Sequence, residues 1–178
     1  MAYFGRLHSN TEGGGYILTM NGLSHHIDKW DLIIGHPPCT YLCISGNKHY
    51  EVALYGDQAR ERMKERYKAI VFFTRLMDAQ AEKVAIENPV GIMSGAYRKP
   101  DQIIQPYMFG DPFEKKTCLW LKNLPKLEPT NVVEPPPRQV VVSGKTLPRW
   151  YSNCGGDRKK ARSKTFPGFA RAMAEQWG

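Results

Sequence analysis

The sequence has few cysteines, no long apolar run and no metal-binding spacing, and each absence excludes a class of protein. No apolar run approaches a membrane span, and the N-terminus lacks the charged, apolar and small-residue stages of a signal peptide, so we expect a cytoplasmic protein. The four cysteines, Cys39, Cys43, Cys118 and Cys154, are separated by 4, 75 and 36 residues, which fits neither a disulfide scaffold nor paired CxxC zinc ligands. Five histidines show no HExxH or HxxxH spacing, so no metal site is predicted.

What the chain does have is an ordinary globular composition with an excess of positive charge. Its 178 residues are 42% apolar and 24% charged, which favours one domain with a buried core. Lys and Arg total 25 against 17 for Asp and Glu, giving a formal net charge of +8. Such an excess favours a polyanionic partner, so DNA is the expected partner. The composition leaves open whether a second protein or a second copy of the chain is also a partner.

Two short apolar runs that end in proline-containing loops predict the centre of the fold. Trp30–Gly35 stops at Pro37-Pro38, and a second run over 84–89 ends at its own proline. The residues between them predict one long amphipathic helix over Gly56–Glu82. Strand, helix and strand in this order are typical of a crossover between parallel strands, so both loops should open at one edge of the sheet.

The helix should present one apolar stripe to that sheet and its charged side chains to solvent. The predicted inner stripe consists of Ala59, Met63, Tyr67, Ile70, Val71 and Thr74. The predicted solvent-facing cations are Arg60, Arg62, Lys64, Arg66 and Lys68.

The remaining elements follow from weaker patterns. Residues 1–29 are expected to be a lead-in segment with one short strand near Tyr16–Met20, and residues 30–178 to form an α/β domain. Further strands are predicted at Thr117–Leu121 and Gln139–Val142. A glycine-rich basic loop over Ser152–Thr165 should precede a final helix, Pro167–Trp177.

The two loops carry a thiol and a carboxyl group. Cys39 follows Pro37-Pro38, and Glu87 belongs to the sequence Glu87-Asn88-Pro89 at the end of the other strand. A thiol and a carboxyl group in one space suit addition to C6 of a pyrimidine, in which the thiolate attacks and the carboxyl group engages N3. C5 of the ring then becomes a nucleophile that accepts a methyl or similar one-carbon group.

These residues resemble a known family. DLIIGHPPC, ending at Cys39, is similar to the catalytic loop of the DNA cytosine-5 methyltransferases, and Glu87-Asn88 is similar to their second catalytic motif. The runs PPCTYL, IENP, QPYMFG, KKTCLWLKNLP, RSKTFPG and EQWG resemble small phage and prophage proteins of this type, over residues 30–178. The resemblance implies a Rossmann-like methyltransferase sheet, shortened at its N-terminal edge, and a bacterial or phage-infected host cell.

The resemblance also implies roles for individual residues. Cys39 would be the covalent nucleophile and Glu87 the group at N3, in an enzyme that flips a base into its pocket. Basic surroundings would lower the pKa of the thiol. The residues expected to bind substrate are Pro38, Thr40, Asn88, Lys115, Lys116, Arg158, Lys159 and Lys160. Those expected at the cofactor, S-adenosylmethionine, are Asp31, Gly35, Pro37 and Phe166.

The sequence departs from the family at its cofactor motif. No Phe-x-Gly-x-Gly turn precedes Trp30, and Gly13-Gly14-Gly15 is better interpreted as a linker. The family's Gln-x-Arg-x-Arg motif is also absent, although Lys115 and Lys116 offer comparable cations. These departures support two alternatives: a catalytically silent relative that binds nucleic acid or a nucleotide, for instance a phage factor acting against host defence, and an enzyme acting on free pyrimidine nucleotides.

Each candidate residue also has a simpler structural interpretation. Cys39 can be a small buried hydrophobe, as most free cysteines are, but the two preceding prolines, the strand end and the paired Glu87 favour an active-site position. Cys43 and Cys118 are expected to have only packing roles. Glu87 can cap a turn or pair with an arginine. His36 either tunes the neighbouring thiol or bonds the backbone. The basic cluster at 158–164 suits phosphate contacts, but a solvated loop is as good an account.

Overall fold

The computed structural model describes residues 7–9, 15–18, 24–27, 30–141, 144–148 and 165–178. The strands in chain order are β1 (Leu7–Ser9), β2 (Gly15–Leu18), β3 (Ser24–Ile27), β4 (Trp30–Gly35), β5 (Ala81–Pro89), β6 (Gln102–Ile104), β7 (Thr117–Lys122), β8 (Gln139–Val140) and β9 (Thr146–Leu147). The α-helices are α1 (Val52–Met77), α2 (Met93–Ala96) and α3 (Pro167–Trp177). Two 3₁₀ helices cover Ile44–Tyr50 and Pro106–Met108.

The lead-in segment has more regular structure than its sequence predicts. β1, β2 and β3 pair antiparallel in a three-stranded sheet, whereas one short strand was expected. Strands of three or four residues are too short to show an alternating pattern, which explains the missed strands. Gly15, the last residue of the triple glycine, is the first residue of β2, and β2 pairs antiparallel with β1, which precedes the glycines in the chain.

The central sheet is four-stranded and mixed, in the order β4-β5-β7-β6. β4 and β5 are parallel, as the strand-helix-strand pattern predicts, with Gly35 opposite Ile86. The other two pairings, β5 with β7 and β7 with β6, are antiparallel. The chain is therefore a mixed α/β protein, in which the parallel arrangement is limited to the pair that carries the two candidate loops.

Helix α1 starts earlier and ends earlier than predicted. It begins at Val52, contains a non-helical break at Gly56 with φ 50°, and ends at Met77. A positive φ is adopted readily only by glycine, so Gly56 permits the break. The predicted helix end at Glu82 is wrong because Ala81 and Glu82 already belong to β5 and pair along β4.

The buried stripe of α1 is displaced from the predicted one. Met63 and Tyr67, expected inside, are 44% and 69% exposed. The inward residues instead recur at alternating spacings of three and four, and they are Ala59, Arg62, Arg66, Ala69, Phe73 and Leu76. The prediction that Arg62 and Arg66 face solvent is therefore wrong, because both lie on this stripe between buried alanines.

Helices cover the two faces of the central sheet. On one face α1 packs on alternate residues of β5 and β7, and this apolar cluster includes Phe73, Leu76, Val84, Ile86, Cys118 and Trp120. On the other face α3 packs on the intervening residues, in a cluster that includes Ala85, Leu119, Leu121, Phe169, Met173 and Trp177. β5 thus contributes to two cores, and its consecutive side chains belong to different layers.

The C-terminal part follows the prediction where it is described. α3 has the predicted bounds, and the predicted strand at Gln139–Val142 is a two-residue strand, β8, paired with β9. The basic loop predicted from Ser152 falls on residues 152–164, outside the described residues. Among the described helices, none combines the length and apolar character needed to cross a bilayer.

Candidate functional site

The parallel pairing of β4 and β5 brings the loop after β4 beside Glu87. The second predicted loop is wrong, because Glu87, Asn88 and Pro89 still belong to β5 and pair with β7. His36 and Glu87 are the residues that follow the paired Gly35 and Ile86. His36 Nδ1 lies 3.0 Å from Glu87 Oε2, and the Glu87 side chain is only 14% exposed. Among the described residues, the Glu87 side chain thus pairs with a histidine of the adjacent loop and not with an arginine, which was the alternative considered from the sequence.

Asn88, the next residue, fixes the path of the Cys39 loop. Its side chain is 1% exposed, and its Nδ2 donates to the carbonyl of Pro37 over 2.9 Å. The oxygen of the same amide group, Asn88 Oδ1, is also buried and has no hydrogen-bond partner among the described residues. Asn88 was predicted to bind substrate, but in the structure it holds the Cys39 loop to β5 from inside.

The far end of the Cys39 loop is attached to the segment after β5. The Leu42 carbonyl accepts the Ile92 N–H over 2.9 Å, and Cys43 forms a bridge with Gly91. A side chain at Gly91 would collide with the Leu42 carbonyl, so the close approach requires glycine. Both ends of the loop are therefore attached to the extension of β5.

Cys39 starts a tight turn and is partly buried. Its carbonyl accepts the N–H groups of Leu42 and Cys43, over 3.1 Å and 2.9 Å. Burial is the main factor that raises the pKa of the Cys39 thiol, followed by the charges of Cys43 and Glu87, while Lys115 lowers it by less. Among the described residues this pKa is raised and not lowered, because burial and nearby acidic groups outweigh Lys115.

A hollow lies beside Glu87 on the α3 face of the sheet. Its lining comes from β5, β6, β7 and the start of α3, and the residues are Glu87, Ile104, Pro106, Lys115, Thr117, Thr165, Phe166 and Phe169. Lys115 Nζ lies 5.7 Å from the centre of the Phe166 ring. The structure thus brings together a predicted catalytic residue, a predicted substrate-binding residue and a predicted cofactor-binding residue.

Other predicted residues lie around this site or away from it. Pro38, Thr40 and Lys116 are exposed, and the Thr40 carbonyl accepts a hydrogen bond from Arg62 Nη2. Asp31 is at the amino end of β4, at the opposite end of the strand from the Cys39 loop. The predicted residues Arg158, Lys159 and Lys160 lie outside the described part of the chain.

The residues expected to hold S-adenosylmethionine do not form one site. Gly35 is packed so closely that an added Cβ would lie 2.8 Å from Ile86 Cδ1 and 3.0 Å from Leu76 Cδ1. Pro37 is buried beneath Asn88, and Asp31 is at the other end of β4. Gly35 and Pro37 thus pack into the protein, Asp31 is exposed, and Phe166 lines the hollow beside Glu87. Because these four residues do not surround one space, the described part of the chain does not fit the cofactor.

The site's chemistry therefore comes from its own side chains. A carboxylate and an ammonium group border an apolar, aromatic-walled hollow, and a thiol lies within electrostatic reach of both. Glu87 lines this hollow and can act there as an acid, whereas the Cys39 thiol is not among the described residues of its lining. In the described ranges no three His, Cys, Asp or Glu side chains are grouped to hold a metal ion.

Five lining residues were not predicted as site residues. Pro106, Thr117 and Thr165 lie in runs that carry the family resemblance, Ile104 and Phe169 lie in none, and only the fold brings the five beside Glu87. Arg62 and Arg66 were also misassigned. The available signal was that each is three residues from a buried alanine, Ala59 or Ala69, and that four residues separate the two.

Comparison with known proteins yields no match to any family model, curated protein or solved structure.

Proposed function

We propose that this chain is a DNA cytosine-5 methyltransferase-like protein in which Cys39 adds to C6 of a pyrimidine and Glu87 engages N3. The observation that supports this most directly is the parallel pairing of β4, whose following loop carries the thiol, with β5, which carries the carboxyl group near its end. Glu87 faces the hollow, and its charge acts on the Cys39 thiol.

The lining of the hollow suits a flat heterocycle. Phe166, Phe169, Ile104 and Pro106 provide apolar contacts, and Glu87 provides a hydrogen-bonding group at the rim. Lys115 adds a positive charge, which suits the phosphate of a nucleotide. A pyrimidine nucleotide combines these two features, and the net charge of +8 favours its presentation on a polyanion such as DNA.

The addition step is balanced between the ring, these two side chains and water. The Cys39 thiol gives its proton to water and its sulfur bonds to C6, while N3 takes a proton from the Glu87 carboxyl group, so C5 becomes an enamine carbon. C5 then takes a proton from water and N3 returns its proton to Glu87. Loss of the original C5 proton to water expels the thiolate, which is protonated by water, and restores the ring. The net result without a methyl donor is exchange of the C5 hydrogen with solvent.

Methyl transfer to C5 is what the family resemblance implies as the next step. S-adenosylmethionine supplies that methyl group in the family. Since the described residues do not fit this cofactor, the steps assigned to this chain's own side chains are addition at C6 and its reversal.

Hydrogen exchange at C5 tests the proposal without a cofactor. We expect the chain to replace the C5 hydrogen of cytosine in an oligonucleotide with deuterium in D₂O, measured by mass spectrometry. Cys39→Ser should lower the exchange rate by about 100-fold or more, because a hydroxyl is a far weaker nucleophile than a thiolate. Cys43→Ser, in the same turn, is the matched control and should retain exchange. Equal exchange by the Cys39→Ser and wild-type chains would exclude Cys39 as the nucleophile.

A silent nucleotide-binding relative is the second candidate. Two observations favour it: burial raises the pKa of the Cys39 thiol, and two of the residues predicted to hold the cofactor, Gly35 and Pro37, are packed into the protein. In that case cytosine oligonucleotides bind equally to the wild-type and Cys39→Ser chains, and neither exchanges hydrogen. Binding titrations with duplex DNA and with a free pyrimidine nucleotide, each at two salt concentrations, then show which of the two is the ligand. Affinity for the duplex should fall steeply with salt, whereas affinity for the nucleotide should fall much less.

A further inference from the structure

Two arginines of α1 hold the segment that follows Cys39. Arg62 Nη2 donates to the Thr40 carbonyl over 2.9 Å, and Arg66 Nε donates to the Tyr41 carbonyl over 2.9 Å. These are the first two carbonyls after the thiol-bearing residue. The Cys39 carbonyl itself is taken by the turn, so three successive carbonyls of this segment are fixed.

Tyr50 completes the attachment from the far end of the 3₁₀ helix. Its buried ring lies under both guanidinium groups, at 3.3 Å from Arg66 Cζ and 5.1 Å from Arg62 Cζ to the ring centre. Its hydroxyl donates to the Tyr41 carbonyl over 3.0 Å. The two arginines and the tyrosine therefore form one stacked unit against the loop.

The fit of the guanidinium groups is specific. An added Cβ at Gly46 would lie 2.9 Å from Arg62 Nη2, and Arg66 Nη2 donates to Asn47 Oδ1 over 2.7 Å. Arg66 thus uses one nitrogen for the loop backbone, another for Asn47 and its flat face for Tyr50. A lysine has the same charge but neither the planar face nor the forked donors, so it cannot make this set of contacts.

We infer that Arg62 and Arg66 are positioning residues that set the orientation of the Cys39 side chain through the backbone of residues 40 and 41. This inference rests on the proposed function only in treating Cys39 as the reactive group. Among the described residues, Lys115 is the only cation that shifts the pKa of the thiol, so the arginines act through the backbone contacts given above. Lysine preserves the charge but not the contacts. Replacing either arginine by lysine should therefore release the backbone of residues 40 and 41 and with it the orientation of the Cys39 side chain.

Thiol alkylation in the native chain measures this positioning directly. Arg66→Lys and Arg62→Lys are treated with iodoacetamide, and each cysteine is followed by mass spectrometry of its peptide. Arg60→Lys is the matched control, because Arg60 is on the same helix, is exposed and pairs only with Asp57 in the described structure. Cys118, which is 1% exposed in β7, serves as the internal reporter of global unfolding.

We expect Cys39 to react faster in both loop-contacting variants, on the order of tenfold, because a released loop exposes its part-buried thiol. Cys118 should stay protected, and Arg60→Lys should match the wild-type chain at both cysteines. Hydrogen exchange at C5 should fall by about tenfold to 100-fold in Arg66→Lys, since small misplacement of a nucleophile has effects of this size.

Two results would overturn the inference. One is a Cys39 alkylation rate that is the same in Arg66→Lys as in Arg60→Lys. The other is acceleration of Cys39 and Cys118 together, which would mean that the arginines only stabilise the whole fold. If the wild-type chain shows no hydrogen exchange, the proposed function fails, while the alkylation rates still decide whether the arginines position the loop.

Discussion

Glu87 and Asn88 are neighbours in β5, but their side chains serve opposite faces of the central sheet. Asn88 is 1% exposed and donates to the Pro37 carbonyl, so it is part of the packing that joins the Cys39 loop to β5. Glu87 faces the hollow on the α3 side, together with Lys115 and Phe166. The Asn88 amide therefore stabilises the fold through a buried hydrogen bond, whereas the Glu87 carboxyl group borders the hollow on the α3 face.

The apolar residues of the two faces differ in the same way. On the α1 face Phe73 packs edge-on against Trp120, with ring centres 5.0 Å apart, and both are fully buried. On the α3 face Phe169 is nearly buried but also lines the hollow. The comparison indicates that the described α1 face is closed, while the α3 face adjoins a small hollow.

The largest expected effect comes from truncating one aromatic ring on each face. Phe73→Ala should lower the free energy of unfolding by about 3–5 kcal/mol, because it leaves a closed cavity against Trp120. Phe169→Ala should have a smaller effect, because its space adjoins the hollow and water can enter it. Urea unfolding of both variants measures the difference. Equal losses would show that the two faces are equally closed.

The pH dependence of stability tests how completely the α1 face excludes water. Burial, with a smaller contribution from Glu87, raises the pKa of the Cys118 thiol from 9.0 to about 11. The folded chain then holds this proton more tightly than the unfolded chain. The resulting stabilisation is fully present below pH 9 and is lost as the pH rises to about 11.

The matched comparison is Cys118→Ala, which cannot titrate at this position. Relative to that variant, the wild-type chain should lose on the order of 2 kcal/mol between pH 9 and pH 11, measured by urea unfolding at several pH values. Parallel curves for the two chains across this range would contradict a buried, neutral Cys118.

The smallest expected difference separates the two neighbouring polar residues. Asn88→Ala should lower the free energy of unfolding by about 1–2 kcal/mol, because the Pro37 carbonyl loses its donor. Glu87→Gln should change it by less than about 0.5 kcal/mol, since the amide oxygen can still accept from His36. Glu82→Gln, on the exposed amino-terminal part of β5, is the control.

In C5 hydrogen exchange, the Glu87 substitution should have a larger effect than the Asn88 substitution, which is the reverse of their order in stability. Glu87→Gln is expected to reduce C5 hydrogen exchange by at least about tenfold, because the carboxyl group can no longer deliver a proton to N3. A Glu87→Gln chain that is both less stable than Asn88→Ala and fully active in exchange would reverse the roles assigned to the two residues.

The sequence predicted three of the four strands of the central sheet. β4, β5 and β7 are runs of apolar residues, and such runs are recognisable without knowledge of the neighbours. β1, β2, β3 and β6 have only three or four residues each and were missed or reduced to one strand. Their pairing depends on contacts between segments, which a local pattern does not contain.

The site was predicted in part for the same reason. Cys39 follows the end of one recognisable strand and Glu87 lies near the end of another, so the parallel pairing alone was enough to bring the Cys39 loop beside Glu87. Lys115 and Phe166 were assigned separate roles at sequence level, and only the folded chain shows that they line one hollow. The positions of Arg62 and Arg66 were missed because charge was given more weight than helical spacing.

The alternation of β5 between its two layers has a consequence for insertions and deletions. Since successive strand residues point to opposite sides, one extra residue between Ala81 and Glu87 would turn the amide toward the hollow and the carboxylate toward the Pro37 carbonyl. The length of this stretch is therefore as constrained as the identity of any residue in it.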